Sequence, residues 1–160
     1  MSYQTAINLA LDWLTRTEVY CRNGHPAAPG GVAQGYHWQK RQYTFIYSEI
    51  TGYQVSALVN AWRWFGEEQY LSLARQSAAF VTRIQAQADS RAGEGAVPHG
   101  LSLPGFEVRH QYFSFDAAMC LQGLLDLHAL SPSADLLAAA RGIGSWLVDR
   151  MQKENGAFRS

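Results

Sequence analysis

Two acidic residues occupy comparable positions in two separate apolar segments. Glu49 and Asp116 each fall in the first turn of a predicted helix. Helices that pack side by side have axes about 8–10 Å apart, so the two carboxyls would fall within the range of about 5–10 Å that glycoside hydrolysis uses. One carboxyl would act as an acid while the other stays ionised. The alternative is that each carboxylate complements the dipole of its own helix.

Aromatic and hydrogen-bonding residues accumulate in the two long loops before these helices and in the helix starts. Together they suit a polyhydroxylated ligand in a concave site. A tyrosine near a carboxylate would also serve an epimerase or lyase that abstracts a proton from a uronic acid, with Arg109 pairing with the substrate carboxylate. The alternative is that these residues close the ends of a helical bundle. The predicted substrate-binding residues are Trp38, Tyr47, Tyr53, His99, Arg109, His110 and Tyr112.

Other reaction chemistries lack their sequence patterns. His25, His37, His99 and His110 are scattered without an HExxH or paired spacing, so no metal site is predicted. No Gly-x-Ser-x-Gly elbow indicates a serine nucleophile. The sequence therefore predicts neither a metal nor a cofactor.

Composition excludes several classes of partner. The 160 residues carry 13 basic and 13 acidic side chains, a neutral balance that has no electrostatic footprint for nucleic acid. No apolar stretch approaches the roughly 20 residues of a membrane span, and the N-terminus lacks the basic region of a signal peptide. Cys21 and Cys120 form no Cys-x-x-Cys motif, which is typical of a reducing compartment. We therefore predict a cytoplasmic protein that binds neither nucleic acid nor membrane.

Apolar residues recur at helical spacing in five segments, and no segment alternates as a strand would. We therefore predict an all-α single domain over residues 1–160. The second and fourth helices have almost no polar face, so they are expected to be more buried than the others. The predicted helices are Tyr3–Thr17, Ser48–Phe65, Glu67–Gln87, Ser114–Leu130 and a fifth that starts at Ser131-Pro132-Ser133 and runs to about Lys153.

The helical segments repeat. One common shift along the sequence places Phe80 on Trp146 and Val81 on Leu147, and nearly the same shift places Trp13 on Phe80. A fixed period of this kind indicates an array of helix pairs. A similar tripeptide follows each odd-numbered helix: Gly30-Gly31-Val32, Gly95-Ala96-Val97 and Gly156-Ala157-Phe158.

The alternating helices, the glycine tripeptides and the run Tyr47-Ser48-Glu49-Ile50-Thr51-Gly52-Tyr53 resemble the six-hairpin glycosidase-like superfamily. The run is similar to the (α/α) toroid domain of uronyl epimerase-like and polysaccharide-associated bacterial proteins. The resemblance implies an open segment of an (α/α)6 toroid, with a sugar site where the outer helices lead into the inner ones.

By this resemblance the protein is carbohydrate-active, either glycosidase-like or uronate epimerase/lyase-like, with a saccharide ligand and with Glu49 and Asp116 as catalytic residues. The alternative is a non-catalytic module that uses the fold to bind sugar or to assemble. A toroid segment with about two and a half hairpins exposes the apolar flanks of its inner helices. We therefore predict either a homodimer or a fragment of a longer toroid protein.

Overall fold

The computed structural model describes residues 2–16, 19 and 28–159, so Cys21 and His25 lie outside the described residues. Five α-helices are present in this part of the chain, and a π-helical turn at Leu147–Met151 continues the last of them. The predicted bounds of the second and fourth helices agree with the structure at both ends. The helices are α1 Tyr3–Arg16, α2 Ser48–Phe65, α3 Glu68–Gln85, α4 Ser114–Leu130 and α5 Ala134–Trp146.

The described residues also form two antiparallel sheets, so the prediction of an all-α fold, and with it of an all-α toroid segment, was wrong. The larger sheet has the order β1-β4-β5-β6, and β2 and β3 form a separate hairpin. The chain is therefore a mixed α/β protein. The strands are β1 Val32–Ala33, β2 Tyr36–His37, β3 Gln42–Tyr43, β4 Phe45–Tyr47, β5 Gly100–Ser102 and β6 Val108–Arg109.

The strands were not predicted because each has only two or three residues. Such a length is too short to show an alternating pattern. The extended residue Tyr47 (φ −111°, ψ 124°) leads directly into α2, and Phe113 (φ −120°, ψ 136°) leads into α4 in the same way. Tyr47 pairs with Val32 on one side and with Gly100 on the other. The larger sheet therefore meets the helices at the start of α2.

Helices α2 and α4 approach closely at two glycines. A Cβ atom built on Gly52 would lie 2.6 Å from the carbonyl oxygen of Met119, and one built on Gly123 would lie 2.6 Å from the carbonyl oxygen of Gly52. Farther along, the Ser56 hydroxyl donates a hydrogen bond of 2.6 Å to Asp126. This contact brings the first turns of the two helices, which carry Glu49 and Asp116, to the same end of the pair.

Burial does not separate the helices as predicted. Helix α3 buries eight residues, as many as α2, although its polar face had suggested a surface helix. It is covered on a second side because the turn at Gly30 packs on its backbone. Helices α2 and α4 in turn expose apolar rings, among them Tyr53 at 46% and Phe115 at 55%. Helices α2 and α4 are therefore less buried than the lack of a polar face predicted.

Candidate functional site

Asp116 is the centre of a polar cluster at the starts of α2 and α4. It is only 3% exposed. Its Oδ1 accepts a hydrogen bond of 3.1 Å from the Tyr47 hydroxyl, and its Oδ2 lies 2.7 Å from Nδ1 of His99. Glu49, which is half-buried, interacts with the same Tyr47 hydroxyl. We call these four residues, Tyr47, Glu49, His99 and Asp116, the Asp116 cluster.

The backbone on both sides fixes His99 in place. Its N–H donates to the carbonyl oxygens of Arg109 (3.2 Å) and Gln111 (2.8 Å), and its own carbonyl oxygen accepts from the N–H of Ser48 (3.1 Å). The next residue must be glycine, because a Cβ atom on Gly100 would collide with the carbonyl oxygen of Ile46 in the neighbouring strand. The larger sheet and the start of α2 together therefore hold the imidazole beside Asp116.

The contact with Asp116 determines the tautomer of His99. An ionised carboxylate only accepts hydrogen bonds, so the proton of the pair lies on Nδ1. In the neutral imidazole Nε2 then carries the lone pair, and no described residue forms a hydrogen bond with Nε2. The His99 side chain is 13% exposed. A buried carboxylate that holds Nδ1–H of a partly open imidazole is the arrangement of a histidine general base.

Tyr47 serves this cluster as a hydrogen-bond donor. Burial raises the pKa of its hydroxyl well above the ordinary value, and the neighbouring Glu49 and Asp116 raise the pKa further. The hydroxyl therefore stays protonated at neutral pH and is not a base. Because it has one proton, it donates to Asp116, and Glu49 competes for that same proton.

Cys120 lies one turn after Asp116 in α4 but is no nucleophile. Its thiol is fully buried and lies 3.2 Å from the carbonyl oxygen of Ser48, to which it donates. Burial raises the pKa of the thiol strongly, and the charges of Asp116 and Glu49 raise the pKa further. A thiol that is not ionised attacks poorly, so Cys120 fills the core between α2 and α4.

Rings surround the imidazole of His99 on several sides. Tyr47 lies 4.5 Å and Phe45 5.1 Å from it between ring centroids, and Phe113 meets it edge-on at 5.1 Å. The guanidinium carbon of Arg109 lies 4.2 Å from the centroid of the Phe45 ring. Sequence reasoning missed Phe45 and Phe113. Their positions just before the two acidic helix starts were the only available signal.

Three predicted ligand-binding residues lie elsewhere. His110 contacts the Tyr112 hydroxyl at 3.0 Å, and that hydroxyl accepts a hydrogen bond of 3.0 Å from the N–H of Asp89. Both residues therefore belong to a separate group at the loop after α3. Trp38 lies between β2 and β3 and is 82% exposed.

Tyr53 lies one turn after Glu49, and its ring centroid is 6.5 Å from that of Phe115, the neighbour of Asp116. Both rings are exposed. Of the predicted site residues, the structure thus joins four directly in the Asp116 cluster. Arg109 is linked to this cluster through Phe45, and Tyr53 lies at its edge.

The geometry alters the roles that the two carboxyls can play. Asp116 uses both oxygens for Tyr47 and His99 and is almost completely buried, so it does not contact a ligand directly. Neither bond caps the N–H groups of α4, although the position of Asp116 in the first turn still complements the dipole of that helix. Glu49 is the more accessible carboxyl.

Two features are absent from the described ranges. No helix among them has the length and apolar character needed to cross a bilayer, and no three metal-binding side chains among them converge on one point. The sequence matches no protein-family model and no curated protein.

Proposed function

We propose that this protein is a carbohydrate-active enzyme in which the Asp116 cluster transfers protons on a saccharide, in the manner of a uronate epimerase or lyase. The observation that carries the proposal is the hydrogen bond by which Asp116 holds Nδ1–H of His99, because it makes Nε2 the basic atom. The resemblance of the Tyr47–Tyr53 run to uronyl epimerase-like proteins supports a saccharide as the substrate.

Proton removal would begin at the carbon next to the uronate carboxylate. Nε2 of His99 takes the proton, and the electron pair of the C–H bond moves into the carboxylate to form an enediolate. A cation close to that carboxylate stabilises the charge. Arg109 fits this role because it lies over the Phe45 ring beside His99 and forms no ion pair with a described carboxylate.

The second proton transfer is assigned to Glu49. In an epimerase, the Glu49 carboxyl returns a proton to the opposite face of the same carbon. In a lyase, Glu49 protonates the glycosidic oxygen while the carbon–oxygen bond breaks. The electron pair of the enediolate then forms the carbon–carbon double bond. Asp116 acts through His99 and Tyr47 as a positioning residue. The glycosidase-like alternative requires two carboxyls that both reach the substrate, and the burial of Asp116 argues against it.

A second candidate is sugar binding without turnover. Tyr53 and Phe115 present exposed rings 6.5 Å apart beside the cluster, and exposed rings of this kind offer flat apolar faces to a ligand. In that case the Asp116 cluster would only tie the larger sheet to α4. We also propose a cytoplasmic location, which the free thiol of Cys120 supports.

A screen of saccharides for binding and turnover tests the proposal. The panel contains uronate and neutral oligosaccharides, and the proteins are wild type, His99→Asn, Asp116→Asn and Glu49→Gln. We expect turnover of a uronate saccharide and a loss of about 100- to 10,000-fold in His99→Asn, because general base catalysis contributes a factor of that size. Asp116→Asn should lose activity similarly because it disturbs the tautomer of His99.

His110→Asn is the matched control, since this histidine belongs to the separate group with Tyr112, and its activity should equal that of wild type. Binding of a uronate saccharide by all variants without turnover by any of them would favour the binding module. Release of new reducing ends from neutral oligosaccharides by His99→Asn at the wild-type rate would overturn the proposed mechanism.

A further inference from the structure

The hairpin of β2 and β3 extends the two strands β1 and β4, which lead to the Asp116 cluster. The β2–β3 pairing continues the register of the β1–β4 pairing. Between the two ladders the N–H of Gln34 donates a hydrogen bond of 2.8 Å to the carbonyl oxygen of Phe45, and the ring of Phe45 stacks on His99. The hairpin is therefore an arm that starts beside the cluster. We call the turn at its far end, residues 38–41, the hairpin tip.

Local hydrogen bonds fix the backbone of the hairpin tip. The N–H of Arg41 donates to the carbonyl oxygen of Trp38 at 3.2 Å, and the N–H of Lys40 donates to Nδ1 of His37 at 3.4 Å. Arg41 has φ 51°, in the left-handed region that favours glycine. The backbone therefore does not account for an arginine at this position, and the side chain of Arg41 is exposed.

The side chains of the hairpin tip are exposed and basic. Trp38 is 82% exposed, and Lys40 and Arg41 are exposed as well. The sequence has no aspartate or glutamate between Gly30 and Ser48. Neither cation of the tip forms an ion pair with a residue that the structure describes. The tip thus presents two cations and one indole ring to solvent.

Tyr36 continues this surface along the arm toward the larger sheet. It is 48% exposed, and its ring meets that of Tyr43 edge-on with 5.2 Å between centroids. From Arg41 to Phe45 the chain spans at most about 14 Å, because an antiparallel strand rises about 3.4 Å per residue. A ligand held at the Asp116 cluster therefore reaches the tip only if it is a chain of several units.

We propose that the hairpin tip is a second subsite, which binds the far end of an anionic oligosaccharide whose near end lies at the Asp116 cluster. The inference rests on the proposed function, because the anionic groups are the carboxylates of uronate units. Lys40 and Arg41 bind these carboxylates, and the indole of Trp38 contacts the flat face of a sugar ring. The tip therefore selects long uronate chains over short ones.

Other polyanions fit the hairpin tip less well. Recognition of anionic lipids uses clusters of about four to eight basic residues, and the tip has two. Nucleic-acid binding uses a strongly basic surface, whereas the 13 basic and 13 acidic residues of this chain balance. A chain with one carboxylate per uronate unit matches two adjacent cations.

Isothermal titration calorimetry with a uronate disaccharide and a uronate hexasaccharide tests this inference. The parent protein is His99→Asn, which the proposed mechanism leaves without turnover during the titration. We expect the parent to bind the hexasaccharide about 10-fold more tightly than the disaccharide, a factor that two exposed ion pairs supply. Adding Lys40→Gln and Arg41→Gly should remove this difference and leave the affinity for the disaccharide unchanged. Adding Trp38→Ala instead should weaken hexasaccharide binding several-fold.

The tip variants are expected to fold, because glycine is favoured at the left-handed position of Arg41 and Lys40 is exposed. Circular dichroism checks this. The matched control adds Arg63→Gln and Lys153→Gln, which remove the same charge at exposed positions outside the arm, and it should bind both saccharides as the parent does. A neutral hexasaccharide should bind the parent and the tip variants equally.

Equal affinity of the parent for both uronate saccharides would overturn the inference and leave the proposed function intact. An equal loss of hexasaccharide affinity in the control would overturn it as well, since the effect would then be one of net charge. Tip-dependent binding of phosphatidylserine vesicles or of an oligonucleotide, without a preference for the hexasaccharide, would also overturn it. Absence of binding at either length would overturn both proposals. A tip-dependent preference in a protein whose wild type shows no turnover would support the subsite and contradict only the proposed reaction.

Discussion

At the scale of single residues, the two carboxyls differ in what surrounds them. Asp116 is buried, and both of its oxygens are engaged by Tyr47 and His99. A buried carboxylate is tolerated only when such donors replace its water. Glu49 is more exposed, and among the described residues it shares the Tyr47 hydroxyl with Asp116. This difference is why we assign Glu49 to the substrate and Asp116 to the orientation of His99.

Replacing Tyr47 should change how stability depends on pH. The pKa of Tyr47 in the folded protein lies above the ordinary value of 10.0, so the unfolded chain loses this proton first as pH rises. The stabilisation is therefore complete below pH 10 and declines above it. Tyr47→Phe should flatten this decline while costing about 1–3 kcal/mol at neutral pH, because Asp116 loses a donor.

Thermal melting of wild type and Tyr47→Phe from neutral to alkaline pH measures this effect. Tyr70 and Tyr112, whose pKa values are also raised mainly by burial, remain in both proteins and form a common background. Tyr36→Phe, at a half-exposed position in the β2–β3 hairpin, should behave as wild type. Parallel curves for wild type and Tyr47→Phe would contradict the role given to the Tyr47 hydroxyl.

The residues of the site were partly predictable. Glu49 and Asp116 are recognisable because each opens an apolar helix at nearly the same point of a repeat. The partnership of Asp116 with His99 was not predictable, because it depends on the pairing of β4 with β5, which helices α2 and α3 separate in the sequence. His110 and Tyr112 looked equally suitable in the sequence, but Asp89 holds Tyr112 elsewhere.

At the scale of elements, the helix ends were easier to predict than the strands. Gly66 ends α2 in a left-handed conformation (φ 70°), and glycine at such a position is a local signal. The strands form through partners distant in sequence, as when Tyr47 pairs with both Val32 and Gly100. The sequence of a strand of two or three residues does not indicate which distant strand it pairs with, so the larger sheet was not predicted.

Alanine substitutions at glycines test the close packing of α2 on α4. Gly52→Ala and Gly123→Ala should each destabilise the protein by about 1–3 kcal/mol, because the added methyl group overlaps backbone atoms of the other helix. Gly144→Ala in α5 is the matched control, since the described residues leave open space there. It should stabilise by about 0.5–1 kcal/mol through helix propensity.

Urea denaturation measures these free energies of unfolding. The two packing variants should shift the midpoint downward and Gly144→Ala upward, with similar slopes for all. Stabilisation by Gly52→Ala comparable to that by Gly144→Ala would mean that the two helices do not approach as closely as described.

At the scale of the whole molecule, the repeat of helix and turn is the feature that the sequence conveyed best. The same period is present in the structure, where the turn at Gly30 packs on the backbone of α3 and the turn at Gly95 packs on the backbone of α5. The fold class was wrong because the larger sheet joins residues from Val32 to Arg109 that share no pattern. That sheet also brings His99 to Asp116, so the site belongs to the mixed architecture and not to the helices alone.

The central claim is that His99 removes a proton from the carbon next to a uronate carboxylate. Loss of the signal of that C–H bond measures this step in both forms of the reaction. An epimerase in D2O replaces the hydrogen with deuterium, and a lyase removes it as the carbon–carbon double bond forms. Wild type is incubated with uronate oligosaccharides in D2O, and proton NMR follows this signal. We predict that wild type and His110→Asn lose the signal and that His99→Asn does not. A loss of signal that survives in His99→Asn, or a wild type that binds the saccharide and leaves the signal unchanged, would contradict the account.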